Sequence, residues 1–364
     1  MKTILNIVGA RPNFVKIAPL MEAYKAHPSL RPLLIHTGQH YDPAMSDLFF
    51  RQLGIPEPDM NLEVGSGTHA AQTAEIMRAF EPVVLKHLPA AVLVVGDVNS
   101  TIACGLVAAK LGVKLIHVEA GLRSGDRTMP EEINRILTDA LSDLLFCTEQ
   151  SGVDNLLREG VAREKIRLVG NVMIDSLLKH RVKASASGIL DRLGLKPREY
   201  AVLTLHRPAN VDDPVILREL FEAFEVIQHE MPIVFPVHPR ARAGLLKALP
   251  SDTAARLPRL LMTEPAGYLD FLHLMAKARL VLTDSGGIQE ETTILGVPCL
   301  TLRDNTERPV TVEFGTNQIV GRKSSVILKA FRGIISCEGT ESRTPPLWDG
   351  HAAERIVDSI STML

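Results

Sequence analysis

The fold is decided by the stretch from residue 91 to residue 121, which reads AVLVVGDVNSTIACGLVAAKLGVKLIHVEAG. It opens with an unbroken aliphatic run, Ala91–Val95, and a second apolar run follows at Lys114–Val118. The residues between them have helical periodicity after Asn99. Short apolar runs that alternate with helical stretches are typical of βαβ units in a buried parallel sheet. We therefore predict two parallel strands joined by a helix.

The same alternation continues on both sides and predicts an α/β protein with two parallel sheets. In the first half we predict strands at Thr3–Val8, Leu33–Thr37, Ala91–Val95, Lys114–Val118, Leu144–Cys147 and Ile166–Val169. In the second half they are predicted at Tyr200–Leu205, Ile233–Val237, Arg259–Met262, Leu280–Thr283 and Pro298–Leu302. A chain of 364 residues exceeds one ordinary hydrophobic core, so we expect two domains.

The strand pattern stops in a polar stretch from Asp175 to Pro197, which we interpret as a linker ordered partly as a helix. We place an N-terminal Rossmann-like domain at 1–172, the linker at 173–198 and a C-terminal Rossmann-like domain at 199–345. The tail from His351 to Leu364 is amphipathic, and 346–364 is predicted to form a closing helix.

Composition excludes several classes of function. The net charge is −2 and no Lys/Arg block is present, so no surface for nucleic acid or anionic membrane is predicted. The longest apolar run, Ala90 to Val95, is far below the ~18 residues of a membrane span. The apolar run at the start is also too short and interrupted for a signal peptide, so we expect a cytoplasmic protein. The four cysteines lack zinc-site spacing and are interpreted as buried thiols in a reducing compartment. They are Cys104, Cys147, Cys299 and Cys337.

Ligands of doubly wound sheets bind at the carboxyl ends of the strands, so the residues that follow each strand are the site candidates. Arg11 and Lys16 lie in the turn after the first strand. The alternative is a solvated helix start, but cations oppose the helix dipole at that end. An anionic ligand is therefore the favoured interpretation.

Carboxylates follow the third and fourth predicted strands of this half. Asp97 and Glu119 could face one cleft, where burial and repulsion would separate their pKa values as in an acid/base pair. Asp97 could instead cap the next helix. Glu131 and Glu132 lie in the first turn of a helix that begins near Pro130, where acidic residues ordinarily complement the dipole, so alone they are interpreted as structural.

The second half places basic and small residues at strand ends. His206 with Arg207, and His238 with Arg240, follow successive strands and suit a pyrophosphate. Ser285, Gly286 and Gly287 form a small-residue turn that opens a helix and can cradle an anion, although a simple N-cap is the alternative. An acidic residue one to two turns into that helix could bind ribose hydroxyls.

Other chemistries lack sequence support. The chain has no H-E-x-x-H motif, clustered Asp pair or Cys/His ligand set, so no metal is predicted. A G-x-S-x-G elbow, a Walker loop and nucleic-acid modules are also absent.

Eight motifs, taken in order along nearly the whole chain, resemble those of the non-hydrolysing UDP-N-acetylglucosamine (UDP-GlcNAc) 2-epimerases. They are Gly9-Ala10-Arg11-Pro12 with Lys16, Thr37-Gly38-Gln39-His40, Val95-Gly96-Asp97, His117-Val118-Glu119-Ala120-Gly121-Leu122-Arg123, Pro130-Glu131-Glu132-Ile133-Asn134-Arg135, His206-Arg207, His238 and Ser285-Gly286-Gly287-Ile288-Gln289-Glu290-Glu291. The resemblance implies a glycosyltransferase-B-like fold with an interdomain cleft, a homodimer, and a last helix that packs on the first domain. It also implies epimerisation at carbon 2 through UDP elimination to 2-acetamidoglucal and re-addition, without a cofactor.

The resemblance also assigns roles to residues of this chain. Catalytic candidates are Arg11, Lys16, Asp97, Glu119, Glu131 and His206. UDP-binding candidates are Arg207, His238, Phe271, Ser285, Gly286, Gly287 and Glu291. Further cleft candidates are Arg123 and Arg135.

The resemblance leaves two questions open. Some bacterial members carry a regulatory UDP-GlcNAc site with a Gln-His-Arg-x-Met type segment, but here Gln39–Met45 departs from it, which argues against allosteric activation. Rival functions are a hydrolysing epimerase, a 2-epimerase of a diacetamido uronic acid, and a non-catalytic nucleotide-sugar sensor.

Overall fold

The computed structural model describes residues 1–39, 51–237, 242, 245, 256–336 and 342–364. The chain divides into two compact units. The first contains Met1–Lys179 and Pro346–Leu364, and the second contains His180–Pro345. Each unit has a parallel sheet with helices between its strands, which confirms the predicted α/β class.

The first unit has a seven-stranded sheet in the order β3-β2-β1-β4-β5-β6-β7. The strands are β1 (Lys2–Val8), β2 (Leu30–His36), β3 (Met60–Asn61), β4 (Ala91–Val95), β5 (Lys114–Val118), β6 (Leu144–Cys147) and β7 (Ile166–Leu168). The strand order reverses between β1 and β4, which pair with each other in parallel. Such a switch point opens a crevice at the carboxyl ends of the two strands.

The helices of this unit are α1 (Arg11–Ala23), α2 (His69–His87), α3 (Asn99–Lys110), α4 (Pro130–Leu141), α5 (Gln150–Arg158) and α6 (Val172–Ser185), with α6 crossing into the second unit. The aliphatic side chains of β1, β2, β4 and β5 pack against α2 and α3 in one buried cluster. This core fixes the strand ends that carry Gly9, Asp97 and Glu119.

The second unit has a six-stranded sheet in the order β10-β9-β8-β11-β12-β13. The strands are β8 (Ala201–Thr204), β9 (Ile233–Pro236), β10 (Leu260–Thr263), β11 (Leu280–Thr283), β12 (Cys299–Thr301) and β13 (Asn317–Ile319). Its helices include α7 (Ile189–Leu193), α8 (Pro208–Val211), α9 (Pro214–Glu230), α10 (Tyr268–Lys277), α11 (Gly286–Leu295), α12 (Val310–Glu313) and α13 (Ser324–Ser336).

The C-terminal segment belongs to the first unit. Its helix α14 (Ala352–Met363) packs against α1. The carboxylate of Asp175 accepts the first amides of α14, from Ala352 at 3.2 Å and Ala353 at 2.7 Å. The buried indole of Trp348 donates to the carbonyl of Thr148 at 3.0 Å. These bonds cap the helix and attach the segment to the first sheet.

Each of the eleven predicted strands is present, and the bounds of four are as predicted. The segment predicted as a linker, 173–198, lies largely in α6 and α7. Within the described ranges, no helix is both long and apolar enough to cross a membrane. The thiols of Cys104, Cys147 and Cys299 are free and buried, whereas Cys337 lies outside the described residues.

Candidate functional site

The turn between β1 and α1 is fastened to the neighbouring strand by Asn13. Its side-chain oxygen accepts the amides of Gly9 at 3.3 Å and Ala10 at 3.1 Å, and its nitrogen donates to the carbonyl of Val95 at 2.9 Å. The turn is therefore held against the end of β4 at the switch point. Arg11 opens α1 here, but its side chain is outside the described part of the chain. Sequence analysis gave Asn13 no role.

Lys16, one turn into α1, forms a buried ion pair with Glu119. Their side chains are only 6% and 4% exposed, so the interpretation of Lys16 as part of a solvated helix start is wrong. Gly96 lies against the pair: a Cβ atom there would be 3.2 Å from Lys16 Nζ and 3.7 Å from Glu119 Oε2. A side chain at position 96 would press on both charged groups.

Glu119 has a left-handed backbone, with φ of 74°. For a residue other than glycine this costs on the order of 1–3 kcal/mol, and such strain clusters at functional sites. The conformation is held by the amides of Glu119 and Ala120, which both donate to the carbonyl of Phe146 at 3.0 Å. The strand end therefore aims the Glu119 carboxylate in one fixed direction.

Asp97 follows β4 and has a carboxylate that Arg135 holds at 2.5 Å, while its side chain stays 25% exposed. Asn134 donates to the Asp97 carbonyl at 2.8 Å. The alternative role of Asp97 as a helix cap is wrong, because α3 has Val98 at its N-cap and no capping side chain. The Asp97 carboxylate is thus oriented by α4 and still reaches solvent.

A cavity of about 320 Å³ lies beside this carboxylate, and both Asp97 and Glu131 line it. The other lining residues are Gln39, Ser66, Gly67, His69, Gln72, Val98, Asn99, Pro130 and Asn134. Four of these have side-chain amides, which can donate to and accept from hydroxyl and acetamido groups. The cavity therefore combines two carboxylates with uncharged hydrogen-bonding groups.

The adjacent glutamates of α4 have different environments. Glu132 is buried, accepts the amides of Ser124 at 3.0 Å and Gly125 at 2.9 Å, and binds Arg135 at 2.6 Å. Burial alone would raise the pKa of Glu132, but these amides and the guanidinium hold it below its ordinary value. The structural interpretation suits Glu132, whereas Glu131 faces the cavity.

The two further cleft candidates contact carboxylates of the chain itself. Arg123 pairs with Glu159 and Asp139, both at 2.7 Å, and Arg135 pairs with Glu132 and Asp97. Arg135 thus orients Asp97, and Arg123 joins a buried cluster that sequence analysis missed. That cluster is centred on Asp139, which also lies 2.6 Å from the ring of His117.

In the second unit, His206 is oriented by Asp284, a buried carboxylate at the end of β11. Asp284 accepts the amides of His206 at 3.0 Å and Arg207 at 2.9 Å, and it binds Nδ1 of the imidazole at 2.8 Å. Burial would raise the pKa of Asp284, but His206 and the amides hold it lowered. The His206 side chain is 62% exposed, and its other ring nitrogen lies on the edge away from Asp284. Sequence analysis gave Asp284 no role.

Ser285 occupies the N-cap position of α11, as the simple N-cap interpretation expects, but its side chain makes no capping hydrogen bond. A Cβ atom on Gly286 would come within 2.4 Å of Arg308 and 2.6 Å of Glu307, which pair with each other. A side chain at position 286 would therefore have to displace the buried ion pair behind the turn. Arg207 reaches the same Glu307 at 3.4 Å.

Glu291 is buried in α11, and its carboxyl accepts a hydrogen bond from Tyr268 at 3.3 Å. Burial raises the pKa of Glu291 to about 8, although the Tyr268 hydrogen bond opposes this. Phe271 lies in α10, one turn beyond Tyr268, and is half-buried. His238 lies outside the described residues, as does the segment 40–45 of the regulatory motif.

No group of three His, Cys, Asp or Glu side chains among the described residues is placed to hold a metal ion. The potential for chemistry lies instead in carboxylates and cations at strand ends and on the helices that follow them. In the first unit these groups are Lys16, Asp97, Glu119 and Glu131. In the second they are His206, Arg207 and Glu291.

The chain is similar to known proteins over most of its length. The sequence profile of the UDP-N-acetylglucosamine 2-epimerase family matches residues 22–361. The chain is 42% identical over 361 residues to the UDP-N-acetylglucosamine 2-epimerase of Methanocaldococcus jannaschii, covering 96% of both chains. It is 44% identical over 333 residues to the UDP-2,3-diacetamido-2,3-dideoxy-D-glucuronate 2-epimerase of Pseudomonas aeruginosa, covering 90% of this chain and 91% of that one.

A solved structure gives the same result at the level of the fold. The crystal structure of the Methanocaldococcus jannaschii UDP-GlcNAc 2-epimerase in complex with UDP-GlcNAc and UDP matches with a TM-score of 0.92 and 40% identity over 99% of both chains. This chain belongs to the UDP-N-acetylglucosamine 2-epimerase family.

Proposed function

We propose that the protein inverts carbon 2 of a UDP-sugar and interconverts UDP-GlcNAc and UDP-N-acetylmannosamine by eliminating UDP and adding it back. The observation that carries the proposal is the pair of carboxylates, Asp97 and Glu119, at the ends of adjacent strands, each held by a cation. Glu131 lines the same cavity as Asp97 and supplies a third acid/base candidate. Inversion requires such groups on both faces of the sugar carbon.

The chemistry explains why the nucleotide leaves. The hydrogen on carbon 2 is not acidic, because no neighbouring carbonyl can take up its electrons. A carboxylate therefore removes this proton while the bond between carbon 1 and the UDP oxygen breaks and its electrons leave with the diphosphate. The product is 2-acetamidoglucal, with a double bond between carbons 1 and 2. An acid then protonates the opposite face of carbon 2, and UDP bonds to carbon 1 again, so no oxidant or reductant is consumed.

In this proposal the second unit binds the nucleotide part of the substrate. The exposed imidazole of His206, oriented by Asp284, and the guanidinium of Arg207 offer donors to the diphosphate. The amides that open α11 after Ser285 add to them. Glu291 would bind the ribose and Phe271 the uracil. His238 and Arg11 complete the proposed set of ligand-binding cations.

The direct test is incubation with UDP-GlcNAc in heavy water, followed by proton NMR. We expect deuterium at carbon 2 of both epimers, because the proton that returns comes from solvent. Binding of UDP-GlcNAc without deuterium incorporation would refute the proposal and support a sensor. Accumulation of free N-acetylmannosamine with UDP would instead identify a hydrolysing enzyme.

A second sugar is a candidate because the Pseudomonas aeruginosa relative is named for a diacetamido glucuronate. Comparing kcat/KM for the two UDP-sugars in the same deuterium assay decides between them.

We also propose that the enzyme works in the cytoplasm and, as the family resemblance implies, that it is a homodimer. The buried free thiols of Cys104, Cys147 and Cys299 suit a reducing compartment. Light scattering of the purified enzyme tests the dimer, and a monomer at micromolar concentration would refute it.

A further inference from the structure

Helix α4 holds both of the loops that carry the first-unit carboxylates. Asn134 and Arg135 bind the carbonyl and carboxylate of Asp97. Glu132 accepts two amides from the loop that follows β5. Two turns from its start, the same helix presents Asp139, which faces both loops. The helix therefore acts as a bracket across the carboxyl ends of β4 and β5.

Asp139 makes its contacts through both carboxylate oxygens. Oδ1 lies 2.6 Å from Nδ1 of His117, and Oδ2 accepts the amide of Gly121 at 3.0 Å. Arg123 also binds Oδ2, at 2.7 Å. Burial would raise the pKa of Asp139, but the charges of His117 and Arg123 hold it below its ordinary value. The carboxylate is thus fully engaged inside the protein.

His117 extends the contact to the other loop. Its Nε2 donates to the carbonyl of Gly96 at 2.9 Å, and Gly96 immediately precedes Asp97. Gly121, which donates to Asp139, lies two residues after Glu119. One chain of hydrogen bonds, from Gly96 through His117 and Asp139 to Gly121, therefore joins the loop before Asp97 to the loop after Glu119.

The fold alone does not require this arrangement. The side chains of His117 and Asp139 are at most 1% exposed, and apolar residues of similar volume often stabilise a fold as well as a buried ion pair does. An apolar pair could not donate to Gly96 or accept from Gly121. Neither residue lines the cavity, so any effect on the reaction acts through other groups.

We propose that Asp139, acting through His117, is a positioning residue that sets the separation of Asp97 and Glu119 at the sugar. This rests on the proposed function, because it assigns the two carboxylates to opposite steps at one carbon. Loss of the Asp139 charge frees the Gly96 and Gly121 loops and misplaces both acid/base groups, while the nucleotide contacts of the second unit stay intact.

The test uses the full-length variant Asp139→Asn, with Asp143→Asn as the matched control. The carboxylate of Asp143 accepts a hydrogen bond from the amide of Leu115 at 2.9 Å. Leu115 lies near the start of β5, at the end of that strand opposite the Gly121 loop. We expect kcat of Asp139→Asn to fall about 10²-fold, the size associated with a displacement of about 1 Å. The KM for UDP-GlcNAc and the calorimetric affinity for UDP stay at the wild-type values. The control keeps wild-type kcat.

An activity-independent readout separates this idea from the proposed function. Hydrogen exchange of peptides that cover residues 94–98 and 119–125 should accelerate in Asp139→Asn, and not in Asp143→Asn. His117→Gln, the second variant, should accelerate exchange mainly in the first peptide. If the wild-type protein incorporates no deuterium at carbon 2 of the sugar, the proposed function is refuted. The amide hydrogen-exchange rates of the two peptides still test whether Asp139 holds the two loops together.

Three outcomes overturn the positioning role. The first is a folded Asp139→Asn protein with wild-type kcat. The second is unchanged exchange in both peptides. The third is failure of both Asp139→Asn and His117→Gln to fold, which would assign the pair to stability alone.

Discussion

The buried carboxyl of Glu291 makes the stability of the second unit depend on pH. The substitution Glu291→Gln removes this dependence and so allows it to be measured. Burial raises the pKa of Glu291 from 4.5 to about 8, against the opposing hydrogen bond from Tyr268. Below pH 4.5 the carboxyl is neutral in both the folded and the unfolded chain. As the pH rises from there to about 8, the unfolded chain loses this proton while the folded chain keeps it.

The cost to the folded state grows by about 1.4 kcal/mol per pH unit over that window. It reaches about 2 kcal/mol at pH 6 and levels off near 5 kcal/mol above pH 8, an upper bound for one fully buried group. Glutamine has a similar shape and no charge to bury. The free energy of unfolding of Glu291→Gln, relative to wild type, should therefore increase by about 3 kcal/mol between pH 6 and pH 9.

Urea unfolding followed by far-UV circular dichroism at the two pH values measures this difference. Tryptophan fluorescence is unsuitable, because the single tryptophan, Trp348, belongs to the first unit. Glu313→Gln, an exposed position in the same unit, is the control and should give no pH-dependent difference. An equal stability difference between Glu291→Gln and wild type at both pH values would refute the reasoning, because the carboxylate would then be ionised in the folded protein.

Three further predictions concern the site. Replacing any of the acid/base candidates, by Asp97→Asn, Glu119→Gln or Glu131→Gln, should lower kcat by about 10²–10⁴-fold with UDP affinity unchanged in calorimetry, and near-normal turnover removes that residue from the mechanism. Gly286→Ala places a methyl 2.4 Å from Arg308, so we expect a loss of about 1–3 kcal/mol in stability and weaker UDP binding; wild-type affinity would contradict this. Asp284→Asn weakens the contact that orients the His206 imidazole, so both UDP affinity and kcat should fall. An unchanged kcat would show that His206 does not depend on Asp284 for its orientation.

The four strands predicted to the residue are central and almost wholly buried, whereas the partly exposed edge strands β7 and β10 were predicted with bounds shifted by one residue. Central parallel strands need continuous apolar runs, and Ala91–Val95 and Lys114–Val118 were located to the residue. The two strands that were not predicted, β3 and β13, are edge strands of two and three residues. Their pairing depends on the neighbouring strand, and so few residues cannot establish a period of two.

The site candidates could be predicted, but their partners could not. Asp97 and Glu119 follow apolar runs directly, so the rule that ligands bind at strand ends points to them. Asp139 and Asp284 bind loops that lie 18 and 78 residues away in sequence, and no local pattern signals such contacts. Arg123 and Arg135 were predicted to face the cleft because the sequence does not reveal that nearby carboxylates already bind them.

Glu131 and Glu132 show where the helical period cannot separate two neighbouring residues. Both occupy the first turn of α4 and satisfy the same dipole rule, so composition treats them alike. They lie four and three residues before Arg135, and side chains at either spacing are neighbours on a helix. The loop after β5 makes the difference, because its amides at Ser124 and Gly125 bind the Glu132 carboxylate. Glu131 instead lines the cavity beside Asp97, so hydrogen bonds from a distant part of the chain, which no helical pattern reveals, distinguish the two glutamates.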